Sequence, residues 1–450
     1  MSNENPSAES SKTKLIRGGL ATYGIKILSV GLGFTAQFLI ARFLGEVGYG
    51  EYSFALVTLE FLVIGAVAGS DAVATRFISL VSDSPRLLKE CLRWLNKRAW
   101  IYSIILTVVA LAVLQITVSY YPRNIWLVTQ VICIGLPFQV FSTVRQGILR
   151  GLQQPVASQV PELLVRPVLV IVLLLSLAFV FADRGILPLH VAWITVLATG
   201  VVLLVGQILL GLELSKRRTF SNERDESNDS ATSNAREPME ENYRKWFSMA
   251  WASMFAAAAM TIHSKCDLFM LGVLTENNLG AYAAATRYAA FTIFGINAIN
   301  IALGPLVALS SNDQQKLQQL ASQAAFLSFL LAIGVGIVLL IFPKYLLGWF
   351  GPGFDQTSVE LQILVLANLF NVVCGSVGML LNMSGYHRDF LKVLLVSVIL
   401  NVLLNGSLIP FLGTKGAAIA TAVATVSWNL MGLILVRKRL NVRPSLGGWI

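Results

Sequence analysis

Residues 215–245 read SKRRTFSNERDESNDSATSNAREPMEENYRK, the only long polar run inside this chain of 450 residues. The run mixes charges of both signs among Ser and Asn and has no apolar periodicity, so it reads as a solvated linker rather than a binding module. The chain around it is of another kind. Over the whole length 55% of residues are hydrophobic, 13% are charged and the mean hydropathy is +0.69, a balance that belongs to a membrane protein.

A helix needs about 20 consecutive apolar residues to cross a bilayer. Runs of that order predict spans at 15–40, 52–75, 99–119, 124–144, 162–182 and 188–212 before the linker. After it they predict spans at 246–272, 280–307, 320–342, 359–383, 391–409 and 416–436. The expected fold is therefore all-α and polytopic, with twelve transmembrane helices in two six-helix lobes, 15–214 and 246–436, joined by 215–245. Residues 1–14 lack the order of a cleavable signal peptide and are expected to stay as a disordered tail. Residues 437–450 are expected to form a second tail.

Positive charge sets the orientation. Of the 34 Lys and Arg, 26 fall in the termini and the alternate loops that include the linker, and 5 in the intervening loops. Arg17, Arg166 and Lys392, near span ends, are counted with the 26, and Lys26, Lys265 and Arg287 remain deeper inside spans. Cytoplasmic loops carry the excess of Lys and Arg, so both termini and the linker are expected in the cytoplasm. The net charge of +10 is then topology and attraction to anionic lipid headgroups, and needs no nucleic-acid partner. The four cysteines and three histidines are scattered, which indicates neither a disulfide framework nor a metal site.

The two halves repeat. At an offset of 230, Leu44–Phe61 meets Leu274–Phe291 with six identities in eighteen positions, among them Glu46 with Glu276, Gly50 with Gly280 and Tyr52 with Tyr282. Both segments join the first and second spans of their halves. Six spans per half is even, so the expected symmetry is a parallel repeat about an axis along the membrane normal.

Ionisable groups at membrane depth are costly and are functional candidates by default. They are Lys26 in the first span, Glu60 in the second, His263, Lys265 and Asp267 in the seventh and Arg287 in the eighth. With spans seven and eight as a hairpin, Asp267 falls within a turn of Arg287, which favours an ion pair. His263 and Asp267 share a face at i, i+4 and suit either a proton-sensitive pair or plain packing. Lys26 has no neighbour of opposite sign in sequence and is expected to face the bundle interior or a wet cavity.

The stretches AQFLIARFLGEVGYGEYSFAL (36–56), GSDAVATRFIS (69–79), RQGILRGLQQP (145–155), LGAYAAATRY (279–288) and LGTKGAAIATAVA (412–424) resemble the polysaccharide-biosynthesis flippases of the O-antigen transporter type. These belong to the multidrug/oligosaccharidyl-lipid/polysaccharide (MOP) superfamily, and the resemblance runs from about Leu15 to Arg439. It implies a two-lobed, MATE-like transporter with a V-shaped cavity that opens to alternate sides of the cell inner membrane. It also implies that cavity cations receive the diphosphate and sugars of a polyprenyl-linked oligosaccharide while the lipid tail stays among membrane lipids. Lys26 and Arg287 fall where such cations occur, and Lys265 joins them by position. Coupling to a proton or sodium gradient is implied, with Glu60, His263 and Asp267 as the titratable candidates. No cofactor is called for, and a monomer is expected. Related lipid II flippases carry two further helices that this sequence lacks, which disfavours a peptidoglycan precursor as cargo.

Two other readings compete. A multidrug exporter of the same superfamily would take organic cations and so favour acid over base in its cavity, against the intramembrane excess of cations. An oligosaccharide polymerase or glycosyltransferase would need a sizeable outer loop bearing catalytic acids or arginines. The outer loops here are short and carry no paired-carboxylate motif, so an enzyme is not expected.

Overall fold

The computed structural model describes residues 6–81, 84–117, 123–181, 185–225, 239–275, 277–310 and 313–445. Among them the chain forms helices and no strand. The first half comprises α1 (Pro6–Val67), α2 (Ser70–Val81), α3 (Pro85–Ile116), α4 (Arg123–Ile134), α5 (Leu136–Gly151), α6 (Pro155–Val160), a π turn (Pro161–Val165), α7 (Arg166–Val180) and α8 (Pro188–Asp225). The second comprises α9 (Met239–Leu274), α10 (Leu279–Ala289), a 3-10 turn (Ala290–Ile293), α11 (Phe294–Leu309), α12 (Gln314–Ile341) and α13 (Pro343–Gly348). It continues with a 3-10 turn (Phe354–Thr357), α14 (Ser358–Cys374), α15 (Val377–Met383), α16 (His387–Leu412) and α17 (Thr414–Leu440).

The helices follow the logic of a lipid solvent. Along α12 the small residues Ala321, Ala325, Ala332 and Gly336 are buried, while Phe326, Leu330, Val338 and Ile341 are exposed. Small residues let helices approach, and bulky apolar ones face hydrocarbon. Among the described residues nine helices are long and apolar enough to cross a membrane, or ten with the bent pair Asn124–Ile134 and Leu136–Gly151. The expected count was twelve. The expected spans 15–40 and 52–75 both overlap one of the nine, Gly24–Val67, which is broken at Gly45 (φ 68°). The expected span 280–307 is divided by the 3-10 turn Ala290–Ile293 into α10 and α11, each too short to qualify alone.

Helix α1 begins at Pro6, where proline's missing N–H costs nothing in a first turn, so the expected tail is helical from that point. Of the linker, 215–225 continues α8 and 239–245 opens α9, while 226–238 lies outside the described residues. The C-terminal segment after α17 is docked. Val442 is fully buried, the Arg443 N–H donates to Gln318 Oε1 (2.7 Å), and Gln318 Nε2 returns a hydrogen bond to the Arg443 carbonyl (2.8 Å).

By mutual contacts the chain divides into two compact units, Met1–Ala36 with Leu59–Ala258, and Gln37–Thr58 with Ala259–Ile450. In the first, α2 packs on α5 where Gly147 and Gly151, one turn apart, meet the backbone of Asp71 and Ala74; a side chain at either glycine would collide with it. Trp246 is fully buried, its ring 5.6 Å from Trp94, 6.3 Å from Phe77 and 5.3 Å from Tyr243. At the break between α1 and α2, Gly69 (φ 71°) lies against the Ala250 carbonyl. The Ala68 carbonyl there accepts from Arg98 Nη2 (3.3 Å), and Arg98 itself stacks over Trp94, Tyr102 and Phe247.

In the second unit the two repeat segments touch. Gly50 and Gly280, equivalent positions of the repeat, lie backbone to backbone. Glu46 Oε1 accepts from the N–H groups of Gly280 (3.0 Å) and Ala281 (3.1 Å). The first N–H groups of a helix have no partner within it and carry the positive end of its dipole, so Glu46 caps α10. Around this contact Phe38, Tyr49, Tyr288 and Phe354 surround the buried Phe350 with ring centroids 5.3 to 6.5 Å away.

Candidate functional site

The membrane-depth charges fall in both units. Lys26 and Glu60 lie in the first, Lys26 half-buried and Glu60 exposed. His263, Lys265, Asp267 and Arg287 lie in the second. Lys265 and Arg287 are half-buried, Arg287 in the last turn of α10. Among the described residues Lys26 has no carboxylate within ion-pair distance; its carbonyl accepts from Ser29 Oγ (2.8 Å).

Asp267 is held from three sides. It is 5% exposed on α9, and its carboxylate accepts from Tyr282 Oη on α10 (2.7 Å), Thr421 Oγ1 on α17 (3.0 Å) and the Leu268 N–H (2.8 Å). A buried carboxylate needs such donors to replace its lost hydration. The ion pair expected with Arg287 does not form, because two hydroxyls and a backbone N–H already fill the carboxylate.

His263 does not join Asp267 either. Its Nδ1 lies 3.3 Å from Ser397 Oγ, its ring 6.1 Å from Trp428, and its carbonyl accepts from Asn401 Nδ2 (3.0 Å). Asn401 in turn receives Asn405 Nδ2 on its carbonyl (2.9 Å) and on Oδ1 (2.5 Å), leaving the buried Asn405 Oδ1 without a donor among the described residues. Asp267 of α9 thus meets hydroxyls of α10 and α17, while His263 of α9 meets Ser397 and Asn401 of α16.

A second acid sits in the same unit. Glu360, at the start of α14, is 2% exposed and accepts from Thr414 Oγ1 (2.7 Å) through Oε1, while Oε2 meets no donor among the described residues. Sequence reasoning missed Tyr282, Asn401, Asn405, Thr421 and Glu360. The signals were present: Asn401 and Asn405 stand one turn apart in a mostly apolar span, and Tyr282 is the repeat partner of Tyr52. Among the described residues no three His, Cys, Asp or Glu side chains come together as a metal site.

The solved structures that this chain resembles share its fold. A multidrug resistance MATE family transporter of the MOP superfamily in an inward-facing conformation superposes with a TM-score of 0.68 at 15% identity, covering 94% of this chain and 98% of that one. The lipid II flippase MurJ in an inward closed conformation gives 0.68 at 12% identity, covering 94% and 87%. Among curated proteins, the probable low-salt glycan biosynthesis flippase Agl15 of Haloferax volcanii is 30% identical over 196 residues, 42% of this chain and 41% of that protein. The probable flippase AglR of the same organism is 24% identical over 190 residues, 41% and 40%. The matched regions span about two fifths of the length of these relatives. The MatE family model matches residues 252–406. The polysaccharide biosynthesis protein family model matches residues 15–310, well over half of the sequence, and the chain belongs to that family.

Proposed function

We propose that this protein is a flippase that moves a polyprenyl-(di)phosphate-linked oligosaccharide from the cytoplasmic to the outer leaflet of the cell inner membrane, for export of a surface polysaccharide. Membership of the polysaccharide biosynthesis family is the observation that carries this reading. The physical problem is the diphosphate, which cannot enter hydrocarbon bare, since an isolated buried ion costs several kcal/mol or more even after relaxation. Lys26, Lys265 and Arg287, all half-buried, supply fixed positive charge along the spans. Their small number leaves the cargo able to depart.

In this scheme the lobes 15–214 and 246–436 alternate in access about the tether 215–245, with both termini cytoplasmic as the charge bias indicates. The protein works as a monomer among membrane lipids, and it transports rather than catalyses. Proton or sodium coupling runs through Asp267, whose buried carboxylate beside two neutral hydroxyls suits a monovalent cation. His263, packed against Ser397 and Trp428, and the exposed Glu60 are the other titratable groups available.

The match of residues 252–406 to the MatE family favours a second reading, a multidrug exporter. Cargo chemistry separates the two. Purified protein should bind a labelled polyprenyl-diphosphate oligosaccharide and keep it in the presence of ethidium-like cations. Saturable cation binding with no affinity for the glycolipid would overturn the proposal.

A further inference from the structure

We propose that Asn297 and Asn371, on adjoining helices of the second unit, bind sugar hydroxyls of the cargo, so that neutral amides read the glycan while cations hold the diphosphate. This role rests on the flippase reading and names the part of the cargo that the two residues touch. Asn297 is exposed on α11, where it and Asn300 are the only polar side chains, and Asn371 is half-buried on α14. Neither amide has a hydrogen-bond partner among the described residues. An amide turned to hydrocarbon finds no donor or acceptor and is costly there, so an exposed asparagine inside an apolar span calls for water or a polar ligand.

The fold puts both amides on one side of a tied pair of helices. Asn368 Nδ2 of α14 donates to the Ala289 carbonyl beside the 3-10 turn (2.9 Å), Ile296 packs with Val372, and Ser376 Oγ donates to Asn300 Oδ1. Asn297 and Asn371 fall between these ties. Helix α12 covers the other side, where Gly295 lies against Leu331 and Gly336 against Leu369. Each asparagine stands two positions beyond a residue that faces α12, about 160° round the helix at 3.6 residues per turn. Both therefore lie on the face turned away from α12. That face is open at α11, since Ala290 and Ile301, which follow the Asn297 stripe at helical spacing, are exposed as well.

The chemistry of the pair selects sugar over phosphate. A carboxamide offers a carbonyl acceptor and two N–H donors, and a sugar hydroxyl both donates and accepts, so each amide can engage neighbouring hydroxyls. It carries no charge with which to hold a diphosphate. Arg287 precedes Asn297 by ten residues on the same expected span, a separation of roughly 15 Å at 1.5 Å per residue. A diphosphate held at the guanidinium thus leaves the glycan to reach the amides.

The test uses the full-length protein in detergent and two probes labelled on the lipid, bare polyprenyl diphosphate and the same lipid carrying a neutral tetrasaccharide. Wild-type protein should bind the glycosylated probe about tenfold more tightly, as one or two net hydrogen bonds allow. The Asn297→Leu Asn371→Leu variant should lose that preference with its affinity for the bare probe unchanged, and Asn297→Gln, which keeps an amide, should retain part of it. Wild-type protein that binds both probes equally, or a double variant that keeps the preference, overturns the proposal and leaves the flippase reading standing. Wild-type protein that binds neither probe overturns the flippase reading and this role with it. Should the double variant fail to fold, Asn297→Leu alone, a change at an exposed position, decides by the same comparison.

Discussion

Tyr282 donates its phenolic hydrogen to Asp267 over 2.7 Å, with both side chains buried. The bond ties α9 to α10 next to the turn where the two repeat segments meet. Removing it in Tyr282→Phe strips a charge-assisted hydrogen bond from a buried acid, a loss of roughly 1.5–3 kcal/mol. The unfolding midpoint of the purified protein should fall accordingly, and Thr421→Val, which removes the 3.0 Å donor, should fall by less.

Asp267→Asn keeps the shape and discards the charge. If this carboxylate carries the coupling ion, gradient-driven transport should drop tenfold or more, while affinity for the lipid-linked oligosaccharide stays within a factor of about three. Transport in reconstituted vesicles with and without an imposed proton or sodium gradient measures the first, and equilibrium binding the second. An unchanged response to the gradient would remove Asp267 from the coupling scheme.

Gly280 has no room for a methyl, because it packs on the Glu46 carbonyl and the Gly50 backbone. Gly280→Ala should therefore force backbone apart and cost about 1–3 kcal/mol, seen as a lower unfolding midpoint. Gly24 has open space around it, and Gly24→Ala serves as the control that leaves the midpoint in place.

Glu46 offers a milder test of the same junction. Glu46→Ala leaves the first N–H groups of α10 uncapped, which should cost about 0.5–2 kcal/mol. Glu46→Gln retains an acceptor oxygen and should recover part of that loss, leaving the smaller share due to the helix dipole.

Lys26 and Arg287 are proposed to touch cargo rather than to hold the fold. Alanine at either position should reduce glycolipid transport at least tenfold without lowering the unfolding midpoint, and Lys26→Arg should retain more activity than Lys26→Ala. Equal loss of stability and transport would make their role structural.

How much of this was legible beforehand depends on the kind of signal. The all-α membrane fold follows from apolar run length, which the bilayer itself imposes. The offset-230 repeat singled out Gly50 and Gly280, and these meet backbone to backbone, because glycine is what close approach requires. The breaks at Gly45 and at Ala290–Ile293 were not legible, since hydropathy integrates over a window and is blind to a single left-handed residue or one tightened turn. Charge counting placed Arg145 in a loop because it records residue type, whereas the space left by Gly206 on a distant helix decides its burial. The expected Asp267–Arg287 pair considered one hairpin only. Thr421, more than 150 residues away, supplied a donor that no local pattern could show.

The central claim is tested most directly by a leaflet assay on purified protein in liposomes loaded with a fluorescent polyprenyl-diphosphate oligosaccharide, scoring the fraction accessible to a reagent outside. The flippase account predicts protein-dependent equilibration of the glycolipid between leaflets, abolished in the Lys26→Ala Arg287→Ala double variant. Liposomes in which the glycolipid stays in its original leaflet while ethidium-like cations are transported would contradict it.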